Sequence, residues 1–303
     1  MDLTYISTFP DYYKPGFDKG EYEKIYRSSN VIINASASDV DYPMHNSTLT
    51  LKTVIKGEED YATRRGRYKV KEDNFLILNS EQEHKSSIST QRITESFSVF
   101  FYPEFVSEAL RSFNIEKDDF RFIETLYKKD KRINELFTNI RTGLSKDQHS
   151  KESVKEQMHE LLEYLILSQV KISNKFNIKN KNKNYINIEL YKRLLIVKDY
   201  IESCYNEKIT LSELAKAACL SEHYMLREFK KFFKITPHQY LTNVRLSNAV
   251  TLLSENNNSV SEISEAVGFE YLSSFSQLFK QSYKVSPLAY RTNYRNCQKV
   301  NFK

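Results

Sequence analysis

Two stretches near the end of the chain repeat each other. Leu211 to Tyr240, LSELAKAACLSEHYMLREFKKFFKITPHQY, recurs about fifty residues later as Val260 to Tyr290, VSEISEAVGFEYLSSFSQLFKQSYKVSPLAY. In register, Leu211 pairs with Val260, Glu213 with Glu262, Leu214 with Ile263, Phe229 with Phe279, Pro237 with Pro287 and Tyr240 with Tyr290, the second copy being one residue longer. A duplication of this length restricts the region to one small supersecondary unit used twice.

Each copy opens on a capping box. In Thr210-x-x-Glu213 and Ser259-x-x-Glu262 the hydroxyl can accept from the backbone N–H three residues on while the glutamate reaches back. A short helix follows, with a small residue, Ala215 or Ser264, where a second helix crosses closely. The turn comes at Cys219-Leu220 or Gly268-Phe269. A second helix then carries apolar residues at helical spacing, Met225, Phe229 and Phe232 in one copy and Phe275 and Phe279 in the other. This is the helix-turn-helix order, whose second member fits the major groove of DNA. One such pattern is a weak signal. Two in tandem, both capped and joined by an apolar helix over His238 to Ser254, are specific. One face carrying two such helices about 34 Å apart can enter successive major-groove segments on one side of a duplex.

The charge is distributed accordingly. Lys and Arg against Asp and Glu number 24 and 28 in residues 1–170, 5 and 0 in 171–186, and 16 and 11 in 187–303, so the net +6 sums as −4, +5 and +5. A basic back half points to a polyanion partner for that half, although a lysine-decorated surface gives the same count.

Residues 31–102 alternate as strands do. VIINAS, TLTLKTVIK, RYKVK, FLILN and SFSVFFY are separated by the turn-prone KGEED, RRGR and NSEQEH, which suggests an antiparallel barrel or sandwich. The carboxylates Glu58-Glu59-Asp60 are expected in a solvated turn. From about Pro103 the period becomes helical in FVSEALRSF, DFRFIETLY and RINELFTNIRTGL. A longer helix over Lys151 to Ile172 carries a stripe of Met158, Leu161, Leu162, Leu165, Ile166 and Val170, either packed on its own barrel or forming a dimer seam. SNKFNIKNKNKN offers little to bury and reads as an exposed linker.

The length of 303 residues suits two domains, and the 13% of aromatic residues suits packed cores. Cys204, Cys219 and Cys297 are odd in number and widely spaced, as reduced thiols are. No apolar run approaches the ~18 residues that span a bilayer, and the N-terminus lacks a basic start followed by an apolar stretch. A cytoplasmic protein without membrane contact is expected.

Residues 187–295 resemble the DNA-binding module of the AraC/XylS family of bacterial transcription regulators. LSELAKAACLSEHYMLREFKK is similar to the family's first helix-turn-helix and TPHQYLTNVRLSNAVTLL to its connecting helix. ISEAVGFEYLSSFSQLFKQSYKVSPLAYR is similar to its signature, and the helix over Ile188 to Cys204 to the module's first helix. Five positions depart from the pattern. Cys219, Lys234 and Lys284 stand where glycine is usual, and each costs on the order of 1 kcal/mol if its backbone is left-handed. Ser264 replaces a usual alanine, and Ser274 a usual aromatic residue.

The front half is similar to the family's cupin-type sensor, with His45 before TLTLKTVIKGE and His84 after the NSEQE turn. The resemblance thus implies an α+β protein: an antiparallel, cupin-like β-barrel with flanking helices, then an all-α domain of two helix-turn-helix units. The expected layout is a cupin-like sensor over 1–115 and a helical, dimerising element over 116–172. A basic linker over 173–186 then leads to the DNA-binding domain over 187–303. Expected partners are double-stranded DNA, a small-molecule effector, a second copy of the chain and RNA polymerase.

The family resemblance places base contacts at His223, Leu226 and Arg227, and at Leu272, Ser273, Ser276 and Gln277 in the second unit. Arg227 can pair with both acceptors of guanine, and Gln277 with adenine; the competing role for Arg227 is an ion pair with Glu222 or Glu228. Lys230, Lys231, Lys280 and Lys284 fall where phosphate contacts form. His45 and His84 are candidate effector-pocket residues. Two imidazoles without a third ligand make no clear metal site, because His45 is followed by Asn46 and Ser47 where cupin enzymes carry a second histidine. No cofactor is expected and no catalytic set can be assigned.

Two further classes are open at this stage. One is a metal-dependent cupin enzyme fused to a DNA-binding module, and the other is a helical interaction module without DNA affinity. Repair by alkyl transfer to a thiol is close to excluded, because all three cysteines lie at or after residue 204.

Overall fold

The computed structural model describes residues 2–10, 18–64, 66–144, 148–177, 181–255 and 258–300. The chain divides into two compact units, Met1–Leu195 and Ile196–Lys303.

The first unit runs β1 (Asp2–Ile6), α1 (Lys19–Ser28), β2 (Ser29–His45), β3 (Leu49–Lys56), β4 (Glu58–Thr63), β5 (Arg67–Lys71), β6 (Asn74–Leu78) and β7 (His84–Phe101). It continues with α2 (Pro103–Ser112), a single 3-10 turn at Lys117–Asp119, β8 (Leu126–Lys128), α3 (Lys131–Gly143) and α4 (Gln148–Asn177). The strands form one sheet in the order β1-β2-β7-β3-β6-β8, with β4 bridging β5 and β7. Every pair is antiparallel except β1 with β2. β7 closes the barrel nearly completely, because His84 to Ser87 pair with β4 while Glu95 to Phe101 pair with β3. Irregularities between Ala37 and Asp39 and between Tyr42 and His45 bend the long β2 around the same curve.

β3, β6 and the first half of β2 are buried on both faces, which explains their dense apolar runs. Ile32, Leu51, Phe75, Ile77, Phe97, Val99 and Phe101 point outward into a core shared with α2, α3 and α4. The alternate residues point inward. Val54, Leu76 and Leu78 fill one part of the interior, with Tyr61 and Tyr68. Val31, Ile33, Ala35 and Phe100 fill another, against Phe9, Ile25 and Tyr26. The stripe on α4 is explained in the same way: Met158, Leu161, Leu162, Leu165 and Ile166 are buried in the outer core of their own unit.

Three expectations are corrected. DFRFIETLY is not a helix: after the 3-10 turn, residues 120–124 have no regular secondary structure and a bend at 125 leads into β8. Side chains take over the backbone bonds that a helix would have made. Phe122 N–H donates to Asn79 Oδ1 at 3.0 Å, Asn79 Nδ2 donates to Phe122 O at 2.9 Å, and Ile123 N–H donates to Gln169 Oε1 at 3.1 Å. The acidic run 58–60 is no solvated turn. Only Gly57, with φ +84°, makes the turn; a Cβ there would lie 2.6 Å from Thr94 Oγ1. Glu58, Glu59 and Asp60 then alternate along β4, the outer two pairing with Lys69 and Glu59 turning inward. Finally, the tract 173–186 is helical where it is described, since α4 runs to Asn177 and α5 (Lys181–Cys204) begins four residues on. Lysine limits burial rather than helix formation.

The second unit comprises the end of α5, then α6 (Leu211–Ala217), α7 (Glu222–Phe233), α8 (Pro237–Glu255), α9 (Val260–Ala266), α10 (Leu272–Tyr283) and α11 (Pro287–Val300). Both capping boxes form, with reciprocal bonds of 3.2 and 2.8 Å at Thr210 and Glu213 and of 3.1 and 2.6 Å at Ser259 and Glu262. Ala215 and Ser264 are buried where the helices cross. α8 serves both copies. Tyr240 near its start packs on Phe229 and Phe233, while Leu246, Ala249 and Leu253 share a core with Ile263, Val267, Phe275 and Phe279.

Candidate functional site

Each copy of the repeat leaves the start of its second helix, α7 or α10, exposed. Ser221 caps α7 by accepting from Tyr224 N–H, so Glu222 and His223 stand exposed on the first turn. Leu226 is half-buried and Arg227 exposed one turn further on, with Met225 and Phe229 buried on the opposite side. On α10, Leu272, Ser273 and Gln277 are exposed and Ser276 is half-buried, around the buried Phe275 and Phe279. Lys230, Lys231, Lys280 and Lys284 are all exposed.

Arg227 is not idle in the free protein. Its Nε donates to Glu228 Oε1 at 3.0 Å, and its guanidinium lies 5.0 Å from the Tyr224 ring centre. The ion pair weighed from the sequence therefore forms, with Glu228 and not Glu222. Glu228 is buried and also faces Lys231 at 3.7 Å. The pairing is made through Nε. The side chain is still 59% exposed.

The turns hold these helices at fixed angles. Cys219 and Gly268 have φ of +52° and +87°, and Lys234 and Lys284 end α7 and α10 at +65° and +66°. All four positions singled out by their residue type are left-handed, three of them without glycine. Gly268 is required for a second reason, since a Cβ there would sit 2.9 Å from Asn206 O. Arg245 of α8 clamps the same corner by donating to Tyr205 O at 2.7 Å and Glu207 O at 2.9 Å. At the other copy, Tyr240 O–H donates to Glu202 Oε1 at 2.5 Å, and Lys198 bridges Glu202 and Asp199.

The barrel interior is a second site. A cavity whose empty space, mouth included, is about 650 Å³ is lined by Lys52 of β3, Glu59 and Tyr61 of β4, Tyr42 and His45 of β2, and Ser86, Ser98 and Phe100 of β7. His45 lines it. His84 lies behind, fully buried, its ring centre 4.3 Å from that of His45 and its Nδ1 3.1 Å from Gln82 O. Burial, then the charges of Lys52 and His45, hold the His84 imidazole well below its usual value, so it is neutral. Among the described residues no group of three metal-ligating side chains is found.

Lys52, Glu59 and Tyr61 were not singled out from the sequence. Burial pulls the Lys52 ammonium down to about 8, against the opposing pull of Glu59. Burial likewise pushes the Glu59 carboxyl up, although Ser96 donates to it at 2.6 Å. The available signal was inverted alternation: Ser96 and Ser98 point into the barrel while Phe97 and Val99 point out beneath the helices.

Residues 32–166 match the family model described as an AraC-like ligand binding domain, and residues 214–293 match that of a helix-turn-helix domain. The chain is 27% identical over 216 residues to the probable transcriptional regulator LumQ of Photobacterium leiognathi, covering 71% of this chain and 77% of that protein. It is 38% identical over 92 residues to YisR of Bacillus subtilis, described as an uncharacterized HTH-type transcriptional regulator, covering 30% of this chain and 32% of the relative. Among solved structures, the DNA-binding domain of AdpA, a global transcriptional factor in complex with a target DNA, is 27% identical. That match covers 35% of this chain and 96% of AdpA's domain, with a TM-score of 0.34.

Proposed function

The chain belongs to the AraC-type transcription regulators, with an N-terminal ligand-binding domain and a C-terminal helix-turn-helix domain, and from that premise we propose how it reads DNA. α7 and α10 enter two successive major-groove segments. His223, Leu226 and Arg227 face bases in one and Leu272, Ser273, Ser276 and Gln277 in the other. Lys230, Lys231, Lys280 and Lys284 meet phosphates, which position the protein without reading sequence. The observation that carries this is the repetition itself: two capped helix pairs with the same left-handed turns and C-caps, each leaving the start of its second helix exposed. The first unit supplies Arg227 and should be the more demanding of base identity, since α10 has no Arg or Lys on its corresponding face.

A small effector held in the barrel cavity would change which arrangement of the DNA-binding domain is favoured, and so the affinity for its operator. On this reading the protein acts in the cytoplasm as a homodimer that contacts RNA polymerase, and works by binding rather than by catalysis. Among the described residues no helix is long and apolar enough to cross a membrane. The alternative of a metal-dependent cupin enzyme finds no support in the cavity, whose donors include an ammonium and hydroxyls.

Footprinting of the full chain on DNA flanking its own gene tests the reading. Protection in two blocks one helical turn apart is expected. A single block, or none at concentrations that saturate related operators, would overturn it.

A further inference from the structure

The barrel cavity holds two opposite charges that do not meet. Lys52 reaches in from β3 and Glu59 from β4, and they are 7% and 3% exposed. Among the described residues no ion pair within 4.0 Å joins them. Glu59 is served by its own wall, where Ser96 donates to it at 2.6 Å and Tyr61 and Ser86 line the same space. Lys52 is served differently. Its Nζ stands over the ring of Phe100 at 4.3 Å and that of Tyr61 at 5.7 Å. Ring faces attract a cation, yet they accept no conventional hydrogen bond from its three N–H groups. A lysine this buried normally has a carboxylate or several acceptors against it. Among the described residues no hydrogen-bond acceptor is found for Lys52 Nζ, whose contacts are those ring faces.

Resting on the reading of this unit as an effector domain, we propose that the cavity takes a small carboxylate with an apolar body and a hydroxyl or amino group beside the carboxylate. The carboxylate seats on Lys52. The neighbouring donor meets Glu59, and the apolar body lies among Phe9, Tyr26 and Phe100, which line the same space. A neutral polyol satisfies the hydrogen bonds and leaves the lysine charge without a counter-ion. A phosphate or other dianion brings a second negative charge against Glu59. The α-hydroxy and α-amino carboxylates fit both walls.

The test uses the full-length chain and thermal unfolding, followed by calorimetric titration, with phenyllactate and phenylalanine as carboxylate probes. The comparators are 3-phenylpropane-1,2-diol, which lacks the charge, 3-phenylpropionate, which lacks the second donor, and arabinose as a neutral polyol. At least one of the two carboxylate probes should raise the unfolding temperature and bind about tenfold or more tightly than the diol, as a charge-assisted bond requires. Lys52→Met should abolish that response while leaving the unliganded chain as stable or more so, because a buried unpaired charge is replaced by an apolar chain of similar length. Glu59→Gln should erase the preference for phenyllactate over phenylpropionate. Equal binding of the diol, tight binding of arabinose alone, no binding by either carboxylate probe, or a Lys52→Met chain that still responds overturns the proposal. Should that variant fail to fold, the comparison of phenyllactate with the diol on the unaltered protein decides. Operator binding by the same sample separates the two levels. A carboxylate that binds without altering operator affinity refutes the effector role and leaves the ligand class standing.

Discussion

The ring of Tyr240 meets that of Phe229 edge-on, 5.8 Å between centres and 83° between planes. Fifty residues on, Tyr290 meets Phe279 at 5.7 Å and 81°. The third ring follows suit, Phe233 lying 4.4 Å from Phe229 and Tyr283 4.6 Å from Phe279. The duplication thus extends from the order of residues to the angle at which rings pack, and both copies should bear their loads in the same way. Phe229→Ala and Phe279→Ala should each cost about 3–5 kcal/mol of stability in urea unfolding, as expected for a fully buried ring. A difference of more than about 2 kcal/mol between them would show that the two cores are not equivalent.

Arg227→Ala should weaken binding to the operator by about 1–3 kcal/mol and relax the preference at one base pair. Lys280→Ala should weaken binding to every sequence alike and reduce the slope of log affinity against log salt by about one. Fluorescence anisotropy on the operator and on a scrambled duplex, over a salt series, distinguishes the two. Glu228→Gln offers a finer check. If the Glu228 bond to Nε orients Arg227, its weakening should cut discrimination at the Arg227 base while leaving affinity for scrambled DNA little changed.

Lys234 ends α7 with φ +65°. Lys234→Gly should therefore stabilise the domain by about 0.5–1 kcal/mol, the relief of left-handed strain outweighing the added freedom of the unfolded chain. Thermal unfolding at neutral pH measures it; a fall in midpoint would mean that the Lys234 Nζ bond to Lys231 O outweighs the strain.

His84 sets an acid limit. Its folded pKa lies well below the unfolded value of 6.5, so between the two the unfolded chain binds the additional proton. Stability from this group is complete above about pH 6.5 and is lost as pH falls through that value towards the folded pKa. Urea midpoints measured from about pH 7.5 down to about pH 5 should fall, and His84→Gln should flatten the fall. An unchanged slope in the variant would assign the acid sensitivity elsewhere.

The helical half was legible because its signals are local. Thr210 and Glu213, Ser259 and Glu262, and the turn at Gly268 each act within a few residues, and the second copy checks the first. The barrel strands with dense apolar runs were equally visible. β4 was not, because EED reads as solvated until Ser96, brought alongside by β7, supplies the hydroxyl that lets Glu59 turn inward. DFRFIETLY failed for a similar reason: Asn79 and Gln169, 40 and more residues away, hold its backbone. Partners that distant leave no trace in periodicity. The cavity was half-seen, with His45 named for its position and Lys52 hidden inside a run of strand residues.

Because α8 closes the first copy with Tyr240 and the second with Leu246, Ala249 and Leu253, its 19 residues work as a ruler. Adding a single residue between those contacts would turn one copy by about 100° against the other and displace it by about 1.5 Å. On the proposed reading, substitutions on α7 or α10 would retune each half-site separately, while the phase between the half-sites would be written in the length of one helix. Operators would then change their letters more readily than their spacing.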